Sequence, residues 1–171
     1  MASDARIQQL VRELEELFPD SRAGLPNELF FLVSRLTPLV NVDLFIQNEQ
    51  RATLLTWRAD AFYTGWHVPG GIIRFKELAA DRIRAVARSE LGASVEADAK
   101  PFDVSEKRHA ERDVRGHFIS MIYHARLTSP LDAALACTDL DAPRHGQWAW
   151  HRRCPERLIP QHAIYRHLFE P

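Results

Sequence analysis

The chain has 171 residues, the length of one ordinary domain and too short for two full ones. Apolar residues make up 46% of it, enough to fill a core, which excludes a disordered chain. A formal net charge of −1 argues against a protein that coats nucleic acid.

The first residues run into an amphipathic segment rather than a signal-peptide apolar core, and no apolar run reaches about 18 residues, so neither a leader nor a membrane span is expected. Over residues 5–18, Ile7, Leu10, Val11, Leu14, Leu17 and Phe18 form the stripe of a helix that Pro19 ends. This helix is either a dimer arm or, the favoured reading, packed on its own domain. Pro26 opens a second helix through about Leu36. From Pro38 the period changes, and Leu39 to Ile46 suits a strand buried on both faces, followed by a polar turn and a second strand from Thr53 to Trp57. Trp66-His67-Val68 leads into Pro69-Gly70-Gly71, which is expected to break any regular element. Residues 77–91 give the clearest helix. Strands are expected at 101–104, 118–127 and 147–151, with the charged stretch 106–115 as a long loop and a helical tail over 156–169 broken at Pro160. Helices flanking strands make the fold class α/β (α+β) with one sheet. Cys137 and Cys154 fit no zinc spacing and no disulfide framework, so they read as idle thiols of a cytoplasmic protein.

On a wheel of the 77–91 helix, Ile83, Val86, Ala87, Ala79 and Ala80 share one face, while Asp81, Arg84 and Arg88 lie opposite. Glu90 falls near the centre of the apolar face. A carboxylate there must be paired, protonated or bound to metal. Pairing with a nearby arginine, or a frayed solvent-exposed end beside Gly92, is the plain alternative. At the other end, Gly70 and Gly71 let the backbone approach a ligand and leave carbonyls free to face a cation. Glu77 is expected to open the helix, where an acid favours the dipole.

Together these residues resemble the Nudix hydrolase signature, G-x5-E-x7-R-E-U-x-E-E-x-G-U with U aliphatic. Gly71, Glu77, Glu90 and Gly92 stand in register, while Ala85, Val86 and Ser89 replace the arginine and two acids. This loss pattern is similar to the GDP-mannose mannosyl hydrolase branch. Thr37-Pro38-Leu39-Val40, Asp43, the Trp66-to-Gly71 run and Glu90-Leu91-Gly92 also look like that branch, and the resemblance spans roughly residues 27–151. It implies a Nudix-type α/β/α sandwich with a mixed central sheet over 26–171, preceded by an added helical extension at 1–25.

The resemblance further implies a Mg2+- or Mn2+-dependent hydrolase of a nucleoside diphosphate-linked compound, most naturally a nucleotide sugar attacked at C1. The small-molecule nucleotide would be its partner, with no nucleic acid or membrane, and the protein would be a homodimer. By the same resemblance, Gly70 (through its carbonyl) and Glu90 are metal ligands, and Glu77 orders the loop. His145 is the general base, Arg58 stabilises the leaving diphosphate, and Asp43 belongs to the nucleotide pocket. Arg144 stands where the branch has a metal-binding glutamine, so a phosphate contact is the role left to it. The branch's substrate arginines are replaced by Ile72 and Ala85, and Arg74, Arg82 and Arg84 lie nearby without an assigned place. His109, His117 and the 106–115 loop are candidates for a different pocket. The alternative function is a Nudix-fold nucleotide-binding module without turnover.

Overall fold

The structure, a computed structural model, describes residues 4–169. Its helices are α1 (Asp4–Leu17), α2 (Asn27–Leu36) and α3 (Ala79–Leu91). Its strands are β1 (Leu39–Ile46), β2 (Thr53–Ala59), β3 (Thr64–His67), β4 (Gly70–Ile72), β5 (Val95–Ala97), β6 (Asp103–Arg108), β7 (His117–Leu127) and β8 (Trp148–His151). A 3-10 helix over Pro160–Phe169 closes the described chain.

A five-stranded mixed sheet runs β4-β1-β7-β5, with β6 also pairing β7. The β1–β7 pair is parallel and the other pairs are antiparallel. The second sheet, β3-β2-β8, is antiparallel. Two sheets therefore replace the single one expected. The physical reason is that β2 leaves β1 after the turn, and only the bridge Gln47↔Thr53 joins the two strand ends.

The period of two along β1 sets the layers. Val42, Leu44 and Ile46 pack with Ile83, Val86, Ala87 and Leu91 of α3. On the opposite face Phe45 meets Leu55, Trp57, Trp66, Ile122, Tyr165 and Phe169. Asn41 and Asp43 share that second face, so the same alternation that builds the core also delivers polar groups to one side. Gly92 ends α3 in the left-handed region (φ 59°), where a glycine carries no Cβ penalty.

Several expectations are corrected. Helix α1 does not bury its stripe: among the described residues it has none buried, and Ile7, Leu10, Val11, Leu14 and Leu17 are all exposed. Gly70–Ile72 is not a break but a short strand, because it is just long enough to pair with Asn41 to Asp43. Glu77 lies before α3, which starts at Ala79 with Leu78 as its cap residue. Strand β6 runs on to Arg108, so part of the charged stretch is ladder, with Lys107 opposite Phe118, and the loop covers only 109–116. Strand β5 was not anticipated. The helical tail starts at Pro160 and is a 3-10 helix throughout. Among the described residues no helix is long and apolar enough to cross a membrane. Both cysteines are free thiols.

Candidate active site

A cleft opens on the polar face of β1, walled by residues from β1, β2, β3, β4, β6, β7 and the 3-10 helix. The cleft has a volume of about 140 Å³ and opens to solvent. Asn41, Asp43, Arg58, His67, Gly70, Lys107 and Arg115 all reach its wall.

Glu90 is the inward acid that the wheel anticipated. Its Oε2 accepts from the Thr56 hydroxyl (2.8 Å) and lies 3.1 Å from His67 Nε2. Its Oε1 receives only a long 3.4 Å contact from the Gly70 N–H. Burial pushes its pKa up, but the His67 charge and hydrogen bond, the Thr56 hydroxyl and the Arg58 charge more than offset this, and the net direction is down. The partner is thus a histidine on β3 rather than an arginine of its own helix, and the frayed-end alternative does not apply.

The register explains why Gly70 faces this carboxylate. Val42 pairs with Gly71 and Asp43 with Gly70, and the Leu44 N–H donates to the Pro69 carbonyl. Gly70 therefore occupies a position not bonded to β1, and its N–H and C=O both point away from that strand, the N–H toward Glu90 Oε1. A side chain at Gly70 would overlap Asp43 Oδ1 and approach the Val42 carbonyl to 2.8 Å. Only glycine fits.

That geometry tests the cation that the fold implies. One carboxylate oxygen with a single weak contact, and a Gly70 carbonyl not bonded to β1, are donors of the kind that suit Mg2+, an ion that keeps waters and uses one or two carboxylates plus substrate phosphates. Among the described residues no group of three or more His, Cys, Asp or Glu side chains is placed to hold a metal. The donor set fits a single, lightly held cation completed by substrate, and not a cluster.

Asp43 lines the cleft but is fully engaged. Its Oδ1 accepts from Asn41 (2.9 Å), and its Oδ2 accepts from Lys107 (3.2 Å) and the Tyr165 hydroxyl. Lys107 is 7% exposed and Asp43 2%, so this is a buried ion pair, with the lysine also 4.4 Å over the Tyr165 ring. Burial pushes the Lys107 pKa down, partly opposed by Asp43. Arg58 ends the buried part of β2 and is steadied by Asp60 (3.2 Å). Asp60 itself is fixed by the N–H groups of Phe62 and Tyr63.

Glu77, Glu90, Arg144 and His145 lie outside the cleft wall, Glu90 reaching it only through its contacts with His67 and Gly70. Glu77 accepts from the Arg74 N–H (2.9 Å) and from Arg82 (2.7 Å), tying the loop to α3. Arg144 is exposed, and only its backbone is fixed, to Gln147. His145 is held one residue from Arg58, its Nδ1 accepting from the Ala59 N–H (3.1 Å). A neutral imidazole with Nδ1 as acceptor carries its proton on Nε2. In this arrangement His145 presents a donor rather than a base.

His67, Lys107, Arg115, His162 and Tyr165 were not singled out from sequence as site residues. His162 accepts from the Val68 N–H (3.0 Å), and burial, followed by the charges of Lys107, His67 and Arg58, pushes its pKa well down. It stays neutral. The alternation of β3 offered a signal for His67, since Gly65 and His67 share a face, but no local pattern marks the others.

No family model matches the sequence. Solved structures do resemble it. A MutT Nudix hydrolase from Burkholderia pseudomallei is 21% identical with a TM-score of 0.59, over 77% of this chain and 97% of that one. The MutT protein of Methanosarcina mazei Go1 is 16% identical with a TM-score of 0.56, over 78% and 94%. A UDP-X diphosphatase is 14% identical with a TM-score of 0.55, over 98% and 80%. The chain has the Nudix hydrolase fold, a mixed α+β sandwich. The identities are low enough that the likeness carries the fold alone.

Proposed function

We propose that this chain is a hydrolase of nucleoside diphosphate-linked compounds, with nucleotide sugars as the substrate class, assisted by Mg2+ or Mn2+. The observation that carries the reading is the inward Glu90 carboxylate, whose Oε1 lies 3.4 Å from the N–H of Gly70, a residue that lines the cleft together with Arg58. The UDP-X diphosphatase and the MutT proteins among its structural neighbours support it. Glu90 and the Gly70 carbonyl would hold the cation, which would neutralise phosphate charge as the bond to the leaving group breaks. Arg58 offers a planar, permanently charged donor set to the diphosphate. Glu77 keeps the 74–78 loop in place. His145, with Nε2–H outward at the rim, suits donation to a bound oxygen, and general-base work requires it first to release Ala59.

Attack at sugar C1, as in the mannosyl hydrolase branch, is the finer form of the proposal. A panel of nucleoside diphosphate sugars, assayed with and without EDTA in 18O water, tests it. Label in the released sugar supports attack at carbon, and label in phosphate replaces it with attack at phosphorus. The second reading, a nucleotide-binding module, is favoured by the occupied Glu90 Oε2 and the occupied His145 Nδ1. Tight binding of one panel member with no turnover of any would establish it and overturn the first.

The homodimer belongs to the same proposal. An antiparallel pair of α1 helices puts Ile7 opposite Leu14, Leu10 opposite Val11, and Arg6 opposite Glu15, so an exposed stripe and its flanking charges are self-complementary. Sedimentation of the wild type and of Leu10→Glu tests it, and an unchanged mass rules α1 out as the interface.

A further inference from the structure

The arginines near the signature are committed elsewhere. Arg82 holds Glu77, Arg84 pairs with Asp81 on the exposed face of α3, and Arg74 donates to the Arg22 carbonyl. The cleft's second guanidinium comes from the far side of the chain, at the end of the 109–116 loop. Arg115 reaches the cleft wall together with Arg58.

Four observations set Arg115 apart. Its backbone sits at φ 53°, a region uncommon for a residue with a side chain. Its N–H is anchored to Ser34 Oγ of α2 (3.1 Å). Its guanidinium lies 4.8 Å from the Phe62 ring centroid and 5.7 Å from that of Phe30, so its plane is held between aromatic groups. Its Nε is buried and has no hydrogen-bond partner among the described residues. Neighbouring Arg112, by contrast, is engaged with the Tyr63 hydroxyl and ring.

The charge balance is incomplete. Arg58, Arg112 and Arg115 surround the 60–63 turn, and the carboxylate among them is Asp60, already 3.2 Å from Arg58. Burial, and then the charges of Arg58 and Arg112, press the Arg115 pKa down against the pull of Tyr63 and Asp60. A pre-ordered, partly desolvated guanidinium without a counter-ion calls for an anion from outside.

We infer that Arg115 is a substrate-binding residue that, with Arg58, clamps the diphosphate of the nucleoside diphosphate-linked compound. The inference rests on the function proposed above for the choice of ligand, while the anion subsite itself rests on Arg115.

Calorimetric titration tests both, using inorganic pyrophosphate and then UDP and GDP, with EDTA and with Mg2+, on the wild type, Arg115→Gln, Arg115→Lys and the control Arg84→Gln. Arg115→Gln is expected to weaken pyrophosphate binding about tenfold or more and to flatten its salt dependence. Arg115→Lys should recover only part of the affinity, because it keeps the charge but not the planar fork. Arg84→Gln should bind as the wild type does. Equal pyrophosphate affinity in the wild type and the folded Arg115 variants, or no binding by the wild type, overturns the inference. If Arg115→Gln does not fold, the Lys variant and the wild-type salt dependence decide. Arg115-dependent pyrophosphate binding without any nucleotide binding leaves the subsite standing and removes the nucleotide reading instead.

Discussion

Replacing Glu90 by Gln tests the inward acid directly. The carboxylate accepts from the Thr56 hydroxyl at 2.8 Å and faces His67 Nε2 at 3.1 Å. Glutamine keeps one oxygen for these partners but loses the charge, and it places an amide N–H₂ where Oε1 faced the Gly70 N–H. Hydrogen bonds to a charged group contribute about 1.5–3 kcal/mol and neutral ones about 0.5–1.5 kcal/mol. The side chain is 22% exposed, so solvent screens part of the difference. The expected loss is about 1–2 kcal/mol at pH 7, a shift of about 2–8 °C in Tm. The folded pKa of Glu90 is lowered from 4.5, so its contribution is complete above that value and disappears as pH falls through the folded pKa. Denaturant titrations at pH 7 and near pH 3.5 should therefore show a gap between wild type and variant that closes in acid. A gap absent at pH 7, or one that persists unchanged in acid, refutes the account of Glu90. On activity, Glu90→Gln should abolish metal-dependent turnover while the fold survives, and an unchanged rate removes Glu90 as a ligand.

Three further perturbations follow from the packing. Gly70→Ala drives a Cβ into Asp43 Oδ1 and should cost about 1–3 kcal/mol, read as a lower denaturant midpoint, and a neutral effect would contradict the close approach of β4 to β1. Lys107→Met strands the Asp43 charge and should cost about 3–5 kcal/mol, whereas adding Asp43→Asn should restore part of that loss, and simple additivity in this cycle would show that the two side chains are not paired. His151 packs edge-on against Trp66 with Nε2 buried and unpartnered, and burial lowers its pKa to about 4. The unfolded chain then binds the proton first, so stability is retained above the ordinary value of 6.5 and falls by on the order of 2–3 kcal/mol as pH drops toward 4. His151→Phe should remove that slope from the denaturation profile, and a slope of the same size in the variant would assign it to other groups.

Much of the fold was legible because it is written in short-range periodicity. The stripe of α3 has its partners on a single face, the apolar run of β1 packs on both, and the wheel placed Glu90 inward. Helix α1 misled for the same reason. An amphipathic stripe states that a face is apolar, not which surface covers it, and here none of its residues is buried. The Gly70–Ile72 strand was read as a break because a three-residue strand is defined by its partner, not by its own composition. Likewise the charged run through Arg108 is ladder because β7 is long enough to pair with it.

The site divides along the same line. Glu90, Gly70, Arg58 and Asp43 were accessible through a resemblance whose spacing survives within one helix and the strands beside it. The second half is tertiary. Lys107 meets Asp43 across 64 positions of sequence, Tyr165 meets it across 122, and Arg115 is positioned by an α2 hydroxyl 81 positions away. His67 has the most consequence of these. It stands beside a retained signature glutamate and takes one of its two oxygens, leaving only Oε1 for a cation. A signature that has lost two acids and gained a histidine neighbour defines a site with little carboxylate to spare. With Lys107 paired to Asp43 and Arg58 to Asp60, the positive charge left on the cleft wall is carried by Arg115. Under the proposed function, such a wall would hold a diphosphate, and the weight of catalysis would rest on how the bound anion is oriented more than on how many metal ions accompany it.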